Sequence, residues 1–328
     1  MIATLQSLRF IFVMMIFMSH FAYRDIQAFD AGGDCGVAFF FMLSGFVVSL
    51  GYGCQVREGS FQYGRFLRRR IWKLYPLHLL CLAFSLIVSG SAIDFSVVMN
   101  ALLLQSWVPD SAVYFSYNGV SWFLSSLFFC YILFPRAYRW VSSWSLAIVL
   151  ALYAIVCFLT PYDKVNAILY VNPLVRFVDF YIGMALCRLY EKGYKIPHAG
   201  ILEALLVVVL IVSLALYPVI DAKFRNAPMY WLVLVPLILV FAKEQGFVSS
   251  LLRCKPMLML ASLSMPVYMV HQLAIGILLH CLPELPTVVM LFICLLSVLV
   301  VSWLIDRFFL RPLAKSDNNL KKSTFIFI

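Results

Sequence analysis

Charge is scarce in this chain. Asp, Glu, Lys and Arg make up 12% of its 328 residues, while 64% are hydrophobic and the mean hydropathy is +0.96. A soluble domain carries about 25% charged residues, so a water-soluble globule is excluded and repeated passage through a bilayer is indicated. The nine cysteines include no CxxC pair and show no metal-like spacing with histidine. A zinc or redox site is therefore not indicated, no metal is expected, and most cysteines read as small apolar residues within helices. No GxSxG elbow is present, which leaves a serine nucleophile weakly supported. No internal repeat, low-complexity tract or long linker divides the chain, so it reads as one membrane domain over 1–312 with a short tail over 313–328.

Spans of roughly 20 apolar residues fall near 5–23, 36–53, 71–90, 119–138, 143–160, 172–190, 200–217, 228–243, 257–281 and 285–308. The expected fold is an all-α polytopic bundle of about ten transmembrane helices. The apolar run at 97–107 is too short to cross and reads as a re-entrant or interfacial segment. Acidic residues number 15 against 25 basic ones, a net charge of +10. That balance alone would suit a nucleic-acid partner, but the distribution decides against one. With the N-terminus inside, 19 of the 25 basic residues lie in cytoplasmic loops, four outside (Arg24, Lys164, Lys223, Arg225) and two within spans (Arg9, Arg176). This is the positive-inside pattern, and an even span count returns Lys315, Lys321 and Lys322 to the cytoplasm. The first apolar run carries its basic residue internally and lacks a small-x-small site, unlike a cleaved signal peptide. Cys35 and Cys281 both fall at outer ends, which leaves a disulfide between them open.

Within the first span, Arg9 and His20 stand eleven residues apart. On a helix both occupy one face, roughly 16 Å apart along the axis. An ionisable residue inside a span reads as a functional group facing a protein interior; the alternative is that each snorkels to its nearer interface. In the second span, Ser44 and Gly45 of FFFMLSGF permit close helix approach. Arg65, Arg68, Arg69, Arg70 and Lys73 form the densest charge in the chain, RFLRRRIWKLYP. Arginine forks at a cytoplasmic mouth suit a polyanionic soluble donor, and anionic lipid is the competing partner. Trp122, with Trp107, Tyr114 and Tyr117 before it, has the character of an acceptor platform or of an interfacial aromatic belt. Arg176 and Asp179, at i and i+3, form a pair within the sixth span. Ser264, Tyr268 and His271 occur mid-span beside Pro266; a lone buried histidine is more often a satisfied hydrogen-bonding group than a catalyst. His78, near the inner start of its span, His198 and His280 are expected to meet water, headgroups or backbone.

Taken in order, these segments resemble the membrane-bound acyltransferase family three. Arg9 and His20 fit an R-x10-H pattern, FFFMLSGF an aromatic SGF segment and RRIWKLYP a basic R-x-x-R-x-x-P-like segment. WFLSSLFFCYILFP, RFVDFYIGM, SMPVYMVHQ and IDRFFLRPL agree with the later pieces. Leu127 stands where many sugar-acylating members carry glutamate, and Lys73 where a second arginine is usual. The resemblance implies an O-acyltransferase that takes a short acyl group, acetyl above all, from cytoplasmic acyl-CoA to a hydroxyl of a cell-envelope glycan. It implies no permanently bound cofactor and a bacterial inner-membrane location. His20 becomes the expected catalytic base; Arg9, Arg69, Arg70 and Lys73 the donor-binding residues; Ser44, Trp122, Arg176, Asp179, Tyr268 and His271 the substrate-binding ones. A transporter or flippase whose intramembrane charges line a pathway is the alternative class, and a non-catalytic membrane sensor or scaffold a third.

Overall fold

The computed structural model describes residues 2–21 and 31–316, which contain helices and no strand. In chain order these are α1 (Ala3–Phe21), α2 (Ala31–Glu58), α3 (Tyr63–Ser89), α4 (Phe95–Ala101), α5 (Ser111–Tyr114), α6 (Trp122–Trp140), α7 (Ser143–Leu159), α8 (Pro173–Glu191), α9 (Ala199–Ala215), α10 (Ala222–Arg225), α11 (Pro228–Phe241), α12 (Phe247–Leu252), α13 (Lys255–Ser262), α14 (Ser264–Cys281), α15 (Thr287–Ile305) and α16 (Arg311–Ser316). Seven described stretches are long and apolar enough to cross a membrane. α7 and α9 are also apolar but have 17 residues each; α8 has 19 and carries Arg176, Asp179, Arg188 and Glu191. Trp144, Phe158, Leu232 and Phe292 expose between 65% and 85% of their surface, as lipid-facing side chains do. The protein is an all-α polytopic membrane bundle. Arg24, Lys321 and Lys322, with the ends of the first span and of the tail, lie outside the described residues.

The bundle has a basic end. There α2, α6 and α8 finish together: Arg57 Nη1 donates to Glu191 Oε2 at 2.8 Å and to Tyr138 Oη at 3.0 Å, while Arg188 Nη2 donates to the Tyr138 carbonyl at 2.9 Å. α1 begins at the same end. Thr4 Oγ1 donates to the Phe241 carbonyl at 2.6 Å and Ser7 Oγ to that of Leu252 at 2.5 Å. Buried Glu203 on α9 accepts from the amides of Gly246 and Ser249, at 3.0 and 2.8 Å, and from the Ser249 hydroxyl. These bonds satisfy a carboxylate at the start of α12 and hold the platform on which α1 stands.

Two boundaries differ from expectation for physical reasons. α3 begins at Tyr63, eight residues before the expected 71, because Arg and Lys favour helix and the basic run forms its first turns. His78 is therefore mid-helix rather than near the inner start, and is 1% exposed. The expected 257–281 span is two helices, α13 and α14; Pro266 lacks the amide that would bond the Ser262 carbonyl, and the chain breaks at Leu263.

The 97–107 run turns back inside the bundle. Tyr75 Oη donates to the Ala101 carbonyl at 2.7 Å, His78 Nε2 to Asn100 O at 2.8 Å and Ser125 Oγ to Leu103 O at 2.7 Å. Non-helical backbone at this depth is tolerated because side chains from α3 and α6 satisfy it. Leu103 takes φ +56° at the turn. At the loop's outer edge, Asp94 accepts from the Val97 amide at 3.0 Å and from Tyr117 Oη at 2.9 Å, and these two bonds, the amide's above all, hold its carboxyl below the usual range.

α2 and α8 touch through glycine. A Cβ on Gly45 would lie 2.0 Å from the Phe180 carbonyl oxygen, and one on Gly183 1.9 Å from that of Met42. The close approach expected at Gly45 is thus made, with Gly183 as its counterpart. The disulfide left open does not form: Cys35 is buried on α2, Cys281 is exposed at the end of α14, and both thiols are free. Gly183→Ala should destabilise the bundle by about 1–3 kcal/mol through overpacking, seen as a lower melting temperature in detergent; an unchanged melting temperature would mean that the two backbones separate freely.

Candidate functional site

His20 and His271, 251 residues apart in sequence, are in contact. His271 Nε2 and His20 Nδ1 are 3.2 Å apart, and the ring centroids are 4.9 Å apart at 64°. His271 is fully buried, and His20 lies half-buried in the last turn of α1. The proton positions follow from the other partners. His271 Nδ1 lies 3.1 Å from the Val267 carbonyl, and His20 Nδ1 lies 2.9 Å from that of Ile16. A carbonyl can only accept, so each neutral ring carries its proton on Nδ1. His271 Nε2 is then a lone pair, the single His20 Nδ1–H is shared between the Ile16 carbonyl at 2.9 Å and that lone pair at 3.2 Å, and His20 Nε2 is left without a proton. Tyr268 packs beside His271 at 5.9 Å between centroids and donates through Oη to the Val120 carbonyl at 2.9 Å. Asn118 Nδ2 donates to Met269 O at 2.8 Å, and the Val120 amide to Gln272 Oε1 at 3.0 Å. These bonds pin the 118–120 turn against α14, which keeps His271 behind His20.

The second part of the site is cationic. Arg9 is 4% exposed and Arg70 3%, so Arg9 faces protein and the snorkelling alternative for it is overturned. Lys73, half-buried, lies within coulombic range of Arg70, Arg9 and Arg69. The Arg70 guanidinium stands 5.6, 5.3 and 5.2 Å from the ring centroids of Tyr52, Phe66 and Tyr131. Among the described residues no carboxylate pairs with Arg65, Arg69 or Arg70. Around them are buried polar atoms without a protein hydrogen-bond partner, Arg70 Nε and Arg69 Nε. Rings stabilise a cation by roughly 0.5–2 kcal/mol each, far less than the desolvation of a guanidinium. An apolar pocket of about 180 Å³ adjoins Arg70, walled by Leu74, Leu103, Leu124 and Phe128. Arg9 and His20 lie on one helix, roughly 16 Å apart along its axis, and so join the two parts.

Residues 2–307 match the family described as acyltransferase domain, acyltransferase family 3. The chain belongs to this family. It is 28% identical over 228 residues to the acyltransferase MdmB of Streptomyces mycarofaciens, covering 58% of each chain. It is 45% identical over 53 residues to protein 2 in the picA locus of Rhizobium radiobacter, covering 16% of this chain and 28% of that one. The chain thus spans less than two thirds of the length of these relatives. No solved structure matches it.

The remaining residues singled out in this family 3 chain fall away from the histidines or beneath them. Trp122 is 3% exposed, enclosed by Tyr170 at 4.8 Å and Phe41 at 6.3 Å between centroids; it is an interior side chain rather than a platform open at the outer surface. Arg176 and Asp179 make the expected ion pair, Nη1 to Oδ2 at 2.9 Å, with both side chains at most 2% exposed. Arg176 also donates through Nε to Tyr170 O at 2.5 Å and through Nη2 to Asn226 O at 3.3 Å, while Trp231 Nε1 donates to Asp179 Oδ1 at 2.5 Å. The pair is fully engaged and braces α8, α11 and the turn at Tyr170, with the Arg176 guanidinium 6.0 Å from the Trp122 ring. Leu127 is fully buried. Sequence reading missed Asn118, Gln272 and Tyr131. Tyr131 stands in the Y-x-x-x-P part of the fourth-span motif, whereas nothing in sequence marks Asn118, whose bond to Met269 joins positions 151 apart. His78, as allowed, meets backbone.

Arg176→Met should destabilise the protein by about 3–5 kcal/mol, because Asp179 is left buried and uncompensated. The double variant Arg176→Met/Asp179→Leu should recover much of that loss in thermal unfolding. Equal destabilisation of single and double variants would show that the pair does not act as a unit.

Proposed function

We propose that this protein is an acyl-CoA-dependent O-acyltransferase that moves a short acyl group, acetyl in the simplest case, to a hydroxyl of a cell-envelope glycan in the bacterial inner membrane. The observation that carries this reading is that α1 bears both Arg9, which meets a cation cluster whose Arg69 and Arg70 have no paired carboxylate among the described residues, and His20, whose Nε2 is free. The charge distribution favours a cytoplasmic basic end, where a soluble, polyanionic donor enters. Its phosphates meet Arg69, Arg70 and Lys73, with Arg9 deeper in. Guanidinium forks match phosphate oxygens with geometric specificity. The pantetheine arm follows α1 outward and brings the thioester carbonyl to His20.

At that point His20 Nε2 takes the proton of the acceptor hydroxyl as its oxygen attacks the carbonyl carbon. The carbon–sulfur bond then breaks, the imidazolium returns the proton to the leaving thiolate, and the products are an ester and CoA thiol. His271 does not touch the reacting atoms. By accepting from His20 Nδ1–H it fixes tautomer and ring direction. The acceptor class rests on family resemblance; Tyr268 and the 118–120 turn are the nearest groups to shape its site, with Arg176, Asp179 and Trp122 supporting them from behind and Ser44 lying nearer the donor.

Purified protein in lipid nanodiscs, given labelled acetyl-CoA and glycan acceptors, tests the assignment. His20→Ala should remain inserted and lose about 10²- to 10⁴-fold in turnover; near-normal turnover removes His20 from the chemistry. His271→Phe should lower kcat with little change in KM, and His271→Gln, which keeps an acceptor for His20 Nδ1–H, should restore part of it. Arg70→Gln/Lys73→Gln should raise the KM for acyl-CoA by about tenfold or more, as expected for lost charged hydrogen bonds, whereas an unchanged donor affinity would return these residues to a topological role.

A further inference from the structure

The connection between α2 and α3 splits the basic end into two pockets. Gln62 is extended, with φ −98° and ψ 90°, and in extended backbone successive side chains point to opposite sides. Gly59, Phe61 and Tyr63 accordingly line one pocket of about 290 Å³, and Ser60 and Gln62 line another of about 270 Å³. Each pocket receives two arginines from one helical face, Arg136 and Arg139 of α6 in the first and Arg65 and Arg69 of α3 in the second. None of the four is ion-paired among the described residues. The acidic groups of this end are engaged elsewhere, Glu191 with Arg57 and Glu58 with the Cys54 thiol at 2.9 Å.

The pockets differ in what else they touch. The Arg65–Arg69 pocket is walled by Tyr52 and Phe66, the same rings on which the buried Arg70 guanidinium stacks, so it leads into the cation cluster. The Arg136–Arg139 pocket has no lining ring on which Arg70 stacks, although its Phe61 packs against Tyr52 and Phe66 at 6.1 and 5.3 Å between centroids. Its walls are Phe61, Pro135 and Tyr63, the last of which is held to α6 by a 3.4 Å hydrogen bond from its hydroxyl to Ile132 O. A pair of cations set apart from the main cluster and flanked by aromatic rings calls for a second, separate anionic group attached to a flat one.

The geometry points to a divided site for the nucleotide end of the donor, in which Arg65 and Arg69 receive the pyrophosphate of acyl-CoA and Arg136 and Arg139 receive its 3′-phosphate, with Phe61 and Tyr63 against the adenine. This rests on the acyl-CoA reading above and adds to it a residue pair that distinguishes CoA from its 3′-dephospho form. The donor's ribose carries these two phosphate groups on different carbons, and the α2–α3 connection passes between them as a partition. A phosphate could also come from a lipid headgroup at the same level, since Trp140 and Trp144 nearby are 78% and 83% exposed as interfacial tryptophans are.

Calorimetric titration of the full chain, in nanodiscs of zwitterionic lipid, with CoA and with 3′-dephospho-CoA tests the division. Wild type should bind CoA about ten- to a hundredfold more tightly, the range of one or two charged hydrogen bonds. Arg136→Gln/Arg139→Gln should bring CoA down to the dephospho-CoA affinity and leave the latter unchanged, with Arg136→Lys/Arg139→Lys keeping most of the discrimination. A double glutamine variant that still discriminates overturns the proposal while leaving the donor reading intact. So does one whose only change is reduced retention of anionic lipid in native mass spectrometry, which would assign the pair to headgroups. If wild type binds dephospho-CoA but shows no preference for CoA, the proposal fails alone; if it binds neither, both readings fail.

Discussion

Desolvation of positive charge constrains this structure more than any other interaction. A guanidinium taken from water into a membrane bundle carries a penalty of several kcal/mol, and the protein answers it in two ways. Arg176 is given a carboxylate and two carbonyls, and with them it becomes a brace between α8 and α11. Arg70 is given only aromatic faces. The fold thus separates a charge neutralised by a carboxylate from one that meets only aromatic rings among the described residues. That difference, rather than the number of arginines, is what the proposed donor site rests on.

The scaffold holds this unsatisfied charge in register with the histidines. α1 carries Arg9 and His20, and its start is tied by Thr4 and Ser7 to carbonyls at the end of α11 and of α12. α2 and α8 close to backbone contact at Gly45 and Gly183, which confines α1 on the other side. At the far end, His20 is set by a partner on α14, itself fixed by the 118–120 turn. In the proposed mechanism, a base whose tautomer is imposed by a buried neighbour needs little reorganisation when its proton moves. The distance between Arg9 and His20 is therefore a property of one helix, whereas Arg69, Arg70 and Lys73 reach Arg9 from α3.

Much of this was legible in the sequence because bilayer chemistry makes polar residues conspicuous. The apolar runs marked the helices, and the rarity of charge made Arg9, His20 and the Arg176–Asp179 pair stand out; the i,i+3 spacing predicted the last of these correctly. That 97–107 turns back rather than crossing followed from its length. The basic run hid the true start of α3, since hydropathy cannot separate a charged helical turn from a loop. Trp122 was misplaced toward the surface because an aromatic near a span end looks the same whether it meets lipid, ligand or Tyr170. Read from the residues alone His271 was a lone buried histidine, and the family resemblance made it an expected substrate-binding residue. Its role depends on contact with a residue 251 positions away, which local pattern does not encode, and the division of the mouth by Phe61 and Gln62 is a matter of backbone direction alone.

In the proposed mechanism a donor seated on the buried cations presents its acyl carbon to His20 Nε2. Bromoacetyl-CoA places an alkylating carbon where the thioester's acyl group lies, and peptide mass spectrometry of the treated protein reads which side chain it reaches. Carboxymethylation of His20, suppressed by excess CoA, is the predicted result. Modification confined to cysteines such as Cys54 or Cys254, with His20 unlabelled and CoA without effect, would contradict the account.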